Sequence, residues 1–218
     1  MSRPLSVIGG FFLRALLWLG VALGVWFWAR EYVVAPVVWM SNGLMQAFFP
    51  EWVFGTVRDG TKLTLLTALR HPDAPPGAVS ELRPVVQVLV YCYGLPLMCA
   101  LFLAARARGL LWKLPLCALM LVPFQVWGVC FEWLMVISVR VGELTRASTG
   151  FEVWQATAFT LGYQLGVLLF PTLIPMLLWL YFERRFVTTV VVEGAMVGSL
   201  ESSLRKEVVG QVTSDKPH

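Results

Sequence analysis

The sequence predicts an all-α polytopic membrane protein with about four transmembrane helices, a small extracytoplasmic amphipathic helix and a β-hairpin. Three observations carry this. Of 218 residues, 58% are hydrophobic and only 14% charged, outside the composition of soluble domains. Four apolar runs are each long enough to cross a hydrocarbon core of about 30 Å at about 1.5 Å per helical residue. Between the first two, the pattern changes from helical to alternating around Asp59-Gly60.

The first span covers about 7–28. It follows Arg3, carries Arg14 near its start and ends in Trp26-Phe27-Trp28. Its length, its bulky end and the lack of a small-x-small cleavage site predict a retained helix rather than a signal peptide. Arg14 is close enough to the near end to snorkel toward phosphates. Gly20 and Gly24 form a GxxxG, through which another helix can approach. Arg30-Glu31 closes this helix, and Pro36 restarts the chain into an apolar run over 37–49, with Asn42 and Gln46 on one face. The run is short for a span, so an amphipathic helix lying in the outer interface, or re-entering it, is expected in place of a fifth span.

The segment 52–69 reads as the hairpin, because a tight turn at Asp59-Gly60 needs positive φ. Phe54 and Thr56 then share a face with Leu63 and Leu65. That face requires cover from the preceding helix or the membrane surface, since an isolated hairpin is marginal in water. After a Pro-rich loop, the second span covers 85–105 and bends at Gly94 and Pro96 within Tyr91-Cys92-Tyr93-Gly94-Leu95-Pro96. The basic loop Arg106, Arg108, Lys113 leads into the third span, 114–139, which bears Pro123. The fourth, 156–182, holds a second GxxxG, Gly162 and Gly166, and two prolines, Pro171 and Pro175. Residues 186–218 form a weakly ordered tail. The short basic segments around Arg3, Arg106 to Lys113, and Arg184-Arg185 predict that both termini and the tail are cytoplasmic.

Chemistry centres on Glu132, the ionisable residue in the outer half of the third span, about 10 Å from its outer end. An intramembrane carboxylate costs roughly 2.5–3.5 kcal/mol on insertion scales, so it faces protein or water. Gln125 and Gly128 lie on the same helical stripe. Tyr163 and Gln164 sit at similar depth on the fourth span, and Tyr91 and Tyr93 somewhat shallower on the second. Together Glu132, Gln125, Tyr91, Tyr93, Tyr163 and Gln164 outline a candidate intramembrane polar pocket, with Arg30, Arg83 or Arg140 as cations within reach. Glu132 has three readings: a protonated or hydrogen-bonded glutamate fixing helix packing, a recognition group, or a catalytic one. Catalysis has little else to draw on. The histidines are His71 and His218, and nothing fixes a thiolate pair of His71 with Cys92 or Cys130. The four cysteines, Cys92, Cys99, Cys117 and Cys130, lie in apolar runs as small hydrophobic side chains. No metal ligand pattern, cofactor fingerprint, hydrolase motif or nucleic-acid motif is present, so no catalytic residue, metal or cofactor is assigned.

Three stretches carry a resemblance: Ala47-Phe48-Phe49-Pro50-Glu51-Trp52-Val53, Tyr91-Cys92-Tyr93-Gly94-Leu95-Pro96-Leu97, and Val122-Pro123-Phe124-Gln125-Val126-Trp127-Gly128-Val129-Cys130. In this order, after an N-terminal anchor and around the hairpin, they resemble the exosortase H-associated membrane proteins of Gram-negative bacteria over about 10–185. The resemblance implies a multi-pass protein of the bacterial inner membrane that serves an exosortase system, which processes and sorts substrates bearing a C-terminal transmembrane signal. That family offers no established catalytic residues. Exosortases themselves use a Cys, Arg and His arrangement near the outer membrane face, and this chain has no suitably placed histidine. The expected function is therefore a non-enzymatic accessory protein that binds the exosortase or its C-terminally anchored substrate through the GxxxG faces, the kinked spans and the hairpin. Membrane lipids are its other partners, and nucleic acid is not one. The alternative is an intramembrane enzyme or lipid-handling protein using an outer-leaflet pocket around Glu132. Transport is less favoured, since the spans show no internal repeat.

Overall fold

The computed structural model describes residues 3–69, 81–140, 149–184 and 188. Helix α1, Arg3–Trp28, is followed after Ala29 by α2, Arg30–Phe48. Strands β1, Val53–Asp59, β2, Lys62–Thr67, and β3, Val85–Gln87, come next. A 3-10 turn over Val88–Tyr91 leads to α3, Gly94–Ala104. Helix α4, Leu110–Met135, runs on into a π turn over Val136–Arg140. Helix α5, Val153–Gln164, passes through a second π turn, Leu165–Leu169, into α6, Phe170–Phe182. Among the described residues, three helical stretches are long and apolar enough to cross a membrane: Gly9–Trp28, Leu110–Val139 and Val153–Phe182. Val88–Ala104 is a shorter apolar helix. The tail expected over 186–218 lies, Thr188 apart, outside the described residues.

Several boundaries differ from the sequence expectation. The segment expected as a helix over 37–49 is one helix from Arg30, with Pro36 inside it. Pro36 is exposed, and the opposite side of the helix buries Val34, Val37, Ser41 and Met45, so the proline ring does not enter the packed face. Arg30-Glu31 therefore begins α2 and does not close α1. The second span does not start at Val85: Val85–Gln87 is a strand, and the α-helix proper begins at Gly94. The apolar run Val85-Val86-Gln87-Val88-Leu89-Val90 hides this change, because a buried strand and a helix segment look alike over so few residues.

The sheet has the order β1-β2-β3, antiparallel throughout. Asp59 pairs with Lys62, so the connection is Gly60-Thr61, one residue beyond the expected turn, and Gly60 takes its φ of +57° there. A bulge between Val53 and Gly55 adds one residue to β1. It turns Phe54 outward, 64% exposed, and the expected shared face of Phe54 with Leu63 and Leu65 is not formed. Val53, Leu63 and Leu65 are buried instead, with Val34, Val37 and Met45 of α2, Val86 and Val88, and Val126, Cys130 and Trp133 of α4 in one apolar core. The sheet is thus covered by α2 and by the second half of α4. Side chains tie it down: Gln46 Nε2 donates to Phe54 O at 2.8 Å, and Arg58 Nη2 donates to Glu31 O at 2.8 Å.

Below this cap, α1 packs on α3, α3 on α6, and α4 on α5 and α6. A second apolar core, Met98, Phe102, Cys117 and Leu121, fills the other end. There Lys113 Nζ meets Glu183 Oε1 at 2.5 Å, joining the start of α4 to the end of α6.

Candidate functional site

The site forms where the cap meets the bundle. The 3-10 turn after β3 points Tyr91 at α4, where its ring lies against Gly128; a Cβ there would overlap the ring. One turn further along α4, Glu132 receives the Tyr91 hydroxyl: the O–H donates to Oε2 at 2.7 Å. Tyr91 is 1% exposed and Glu132 half-buried. Tyr163 lies within electrostatic range of Tyr91. A hydrogen bond of this length ties the two side chains to one another.

Gly128 also meets the π turn that follows α5. A Cβ on Gly166 would be 2.6 Å from Gly128 Cα, and one on Gly162 would overlap the Phe131 ring. Trp127 Nε1 adds a bond to Gly162 O at 3.1 Å. Gly162 and Gly166 therefore serve contact between helices of this chain. Gly20 and Gly24 differ: both are exposed on α1, and nothing stands within 4 Å of a Cβ at either.

Gln125 is buried, 5% exposed, and with Tyr91, Gly94, Leu121, Phe124, Phe170 and Pro171 lines a cleft of about 10 Å³, about the room one water needs. Tyr93 turns away from Glu132 and directs its hydroxyl at Val167 O, 3.5 Å away. Pro171 has no N–H to give that carbonyl, so the phenol stands where the helix bond is missing. Pro175 likewise frees Pro171 O, which abuts Gly94, where a Cβ would be 2.6 Å away. Gln164 is exposed on the far side of α5. Of the six outlined pocket residues, Tyr91, Glu132 and Tyr163 come together, Gln125 lines the adjoining cleft, and Tyr93 and Gln164 stand apart. Arg30 lies over the Phe27 ring at 4.6 Å and Arg83 pairs with Glu81 at 3.0 Å, so neither is drawn to Glu132. Sequence reasoning grouped Gly128 with the polar stripe and Gly94 with a bend. Their tight contacts with Tyr91 and Pro171 had no separate signal.

Chemically, the pair can hold a proton between phenol and carboxylate and lock the cap to the bundle. Cys92 and Cys130 are buried in the apolar core, remote from the arrangement of an activated thiolate.

A family model described as exosortase H-associated membrane protein matches residues 5–186. No curated protein matches the chain, and no solved structure does.

Proposed function

Since the chain belongs to the family of exosortase H-associated membrane proteins, we propose that it is a non-enzymatic accessory protein of an exosortase-type sorting system, binding the sortase or the transmembrane signal of its substrate. It sits in the bacterial inner membrane with both termini cytoplasmic. Four segments cross: α1, the Val88–Ala104 stretch, α4, and α5 with α6. Helices α1 and α4 run the same way, since Trp26 packs in the core with Trp133 and Phe11 stacks on Trp179 in the core of Cys117 and Leu121. If both cross, the chain must return between them, and Val88–Ala104 is the apolar helix available for it.

The single observation that carries the reading beyond the family is how the two glycine pairs are used. Gly162 and Gly166 are occupied by α4 of the same chain, whereas Gly20 and Gly24 leave a smooth, open strip on α1, the kind of surface on which transmembrane helices approach closely. The polar site favours the same reading. Glu132 is bonded to Tyr91, which lines a cleft with room for about one water, as in a side chain used to fix packing.

The test is a crosslinking pull-down from native membranes. Wild type should capture an exosortase or a precursor with a C-terminal anchor, and Gly20→Leu with Gly24→Leu should lose that capture while keeping wild-type stability. Capture undiminished in the double variant would remove α1 as the contact. Failure of wild type to capture either protein would turn attention to the second reading, an enzyme or lipid-handling protein built on the Tyr91–Glu132 pair. That reading predicts a reaction abolished by Glu132→Gln with assembly intact.

A further inference from the structure

Helix α2 has two apolar faces. One is buried against the sheet and α4 through Val34, Val37 and Met45. The other presents Tyr32, Trp39 and Met40, which are 82%, 78% and 38% exposed. No Asp, Glu, Lys or Arg occurs from Tyr32 to Pro50. The polar pair Asn42 and Gln46, expected to give the helix a watery face, turns toward β1: both approach Gly55, and Gln46 bonds the Phe54 carbonyl. A helix apolar on both sides is not stable standing in water.

Two features say what covers the free face. The first is the joint with α1. Ala29 N–H bonds Val25 O at 2.9 Å, and the N–H groups of Tyr32 and Val33 bond Ala29 O at 3.0 and 3.1 Å. Helical bonds run into and out of the joint, so the chain bends there without reversing. Helix α2 stays at the end of α1 marked by Trp26 and Trp28 and does not recross the bilayer beside it. The second is depth. Ser41, midway along α2, lies beside Cys130. Cys130 stands about 26 Å along α4 from Lys113, just within the roughly 30 Å of a hydrocarbon core.

We propose that the Tyr32–Trp39–Met40 face of α2 lies in the headgroup and acyl boundary of the leaflet where α1 ends, with phospholipid as its occupant. In that position Trp and Tyr sit where their amphipathic rings are favoured, and α2 braces the sheet against the membrane surface. The inference rests on α1 and α4 crossing the bilayer, and on nothing about the sorting partner.

The experiment uses the full chain in phospholipid vesicles, with a nitroxide label on Tyr32→Cys, Trp39→Cys or Met40→Cys, and unsubstituted protein as the background for native cysteines. Leu16→Cys, on the exposed side of α1, is the lipid control, and Asp59→Cys, at the strand turn, is the water control. At 32, 39 and 40 collisions with oxygen should exceed those with a water-soluble nickel chelate several-fold, as at 16 and opposite to 59. Nickel access at these sites equal to that at 59, or access to neither reagent, would overturn the proposal while leaving the crossing helices in place. Nickel access at 16 as well would overturn the membrane placement on which it rests.

Discussion

The hydroxyl of Tyr91 is the smallest feature on which the site depends. Its ring fits only because position 128 is glycine, and its O–H reaches Glu132 at 2.7 Å. Tyr91→Phe keeps the ring and removes the donor, so the protein should lose about 1–3 kcal/mol, the range for a bond to a charged or buried acceptor. Glu132→Gln retains an acceptor oxygen and should cost less than Tyr91→Phe. Denaturant unfolding in detergent micelles measures both, and equal stability of Tyr91→Phe and wild type would show that the bond does not hold the cap. Glu132 was legible in the sequence because a carboxylate in an apolar run is costly and therefore faces inward. Tyr93 and Gln164 were not separable from Tyr91 and Tyr163 by the same logic. Adjacent residues of a helix point about 100° apart, and the 3-10 and π turns that border these positions shift the phase that sequence reading assumes to be continuous.

At the scale of elements, two identical GxxxG spacings have opposite surroundings. Gly162→Leu drives a side chain into Phe131 at the contact of α4 with α5, and overpacking of this kind costs about 1–3 kcal/mol or more. Gly20→Leu meets open space and should change stability by less than about 0.5 kcal/mol. Melting temperatures of the two purified variants against wild type decide it, and a destabilised Gly20→Leu would place a neighbour against α1 within the monomer. Spacing alone cannot distinguish these cases, because it reports that a helix can be approached and not by what. The apolar runs, by contrast, were legible: the ends of α1, α4 and α6 fall where charge returns to the sequence. The third strand and the start of α2 were not, since Val85–Gln87 continues an apolar run and Pro36 ordinarily ends a helix.

For the molecule as a whole, the decisive closure is at the end opposite the cap. Lys113 and Glu183 are 70 residues apart in sequence, yet their side chains are only 13% and 12% exposed and paired. In the sequence Lys113 belongs to a basic loop and Glu183 marks the exit of the last span; a long-range pair leaves no local pattern. Joined, they fix the register of α4 against α6, and with it the height at which Gly128 meets Gly166 and Tyr91 meets Glu132. The pair is mostly removed from water, so taking away one partner leaves an uncompensated charge, which costs about 3–5 kcal/mol. Lys113→Met should therefore unfold well below wild type in a denaturant titration. Glu183→Leu added to it should restore most of the loss, since two apolar side chains of similar size can replace a buried pair at little cost. A double variant as unstable as the single one would mean that the amine and carboxylate act separately. In that case the register of α4 and α6 would rest on the glycine contacts alone, and Gly162→Leu would then release the Tyr91–Glu132 bond at the other end.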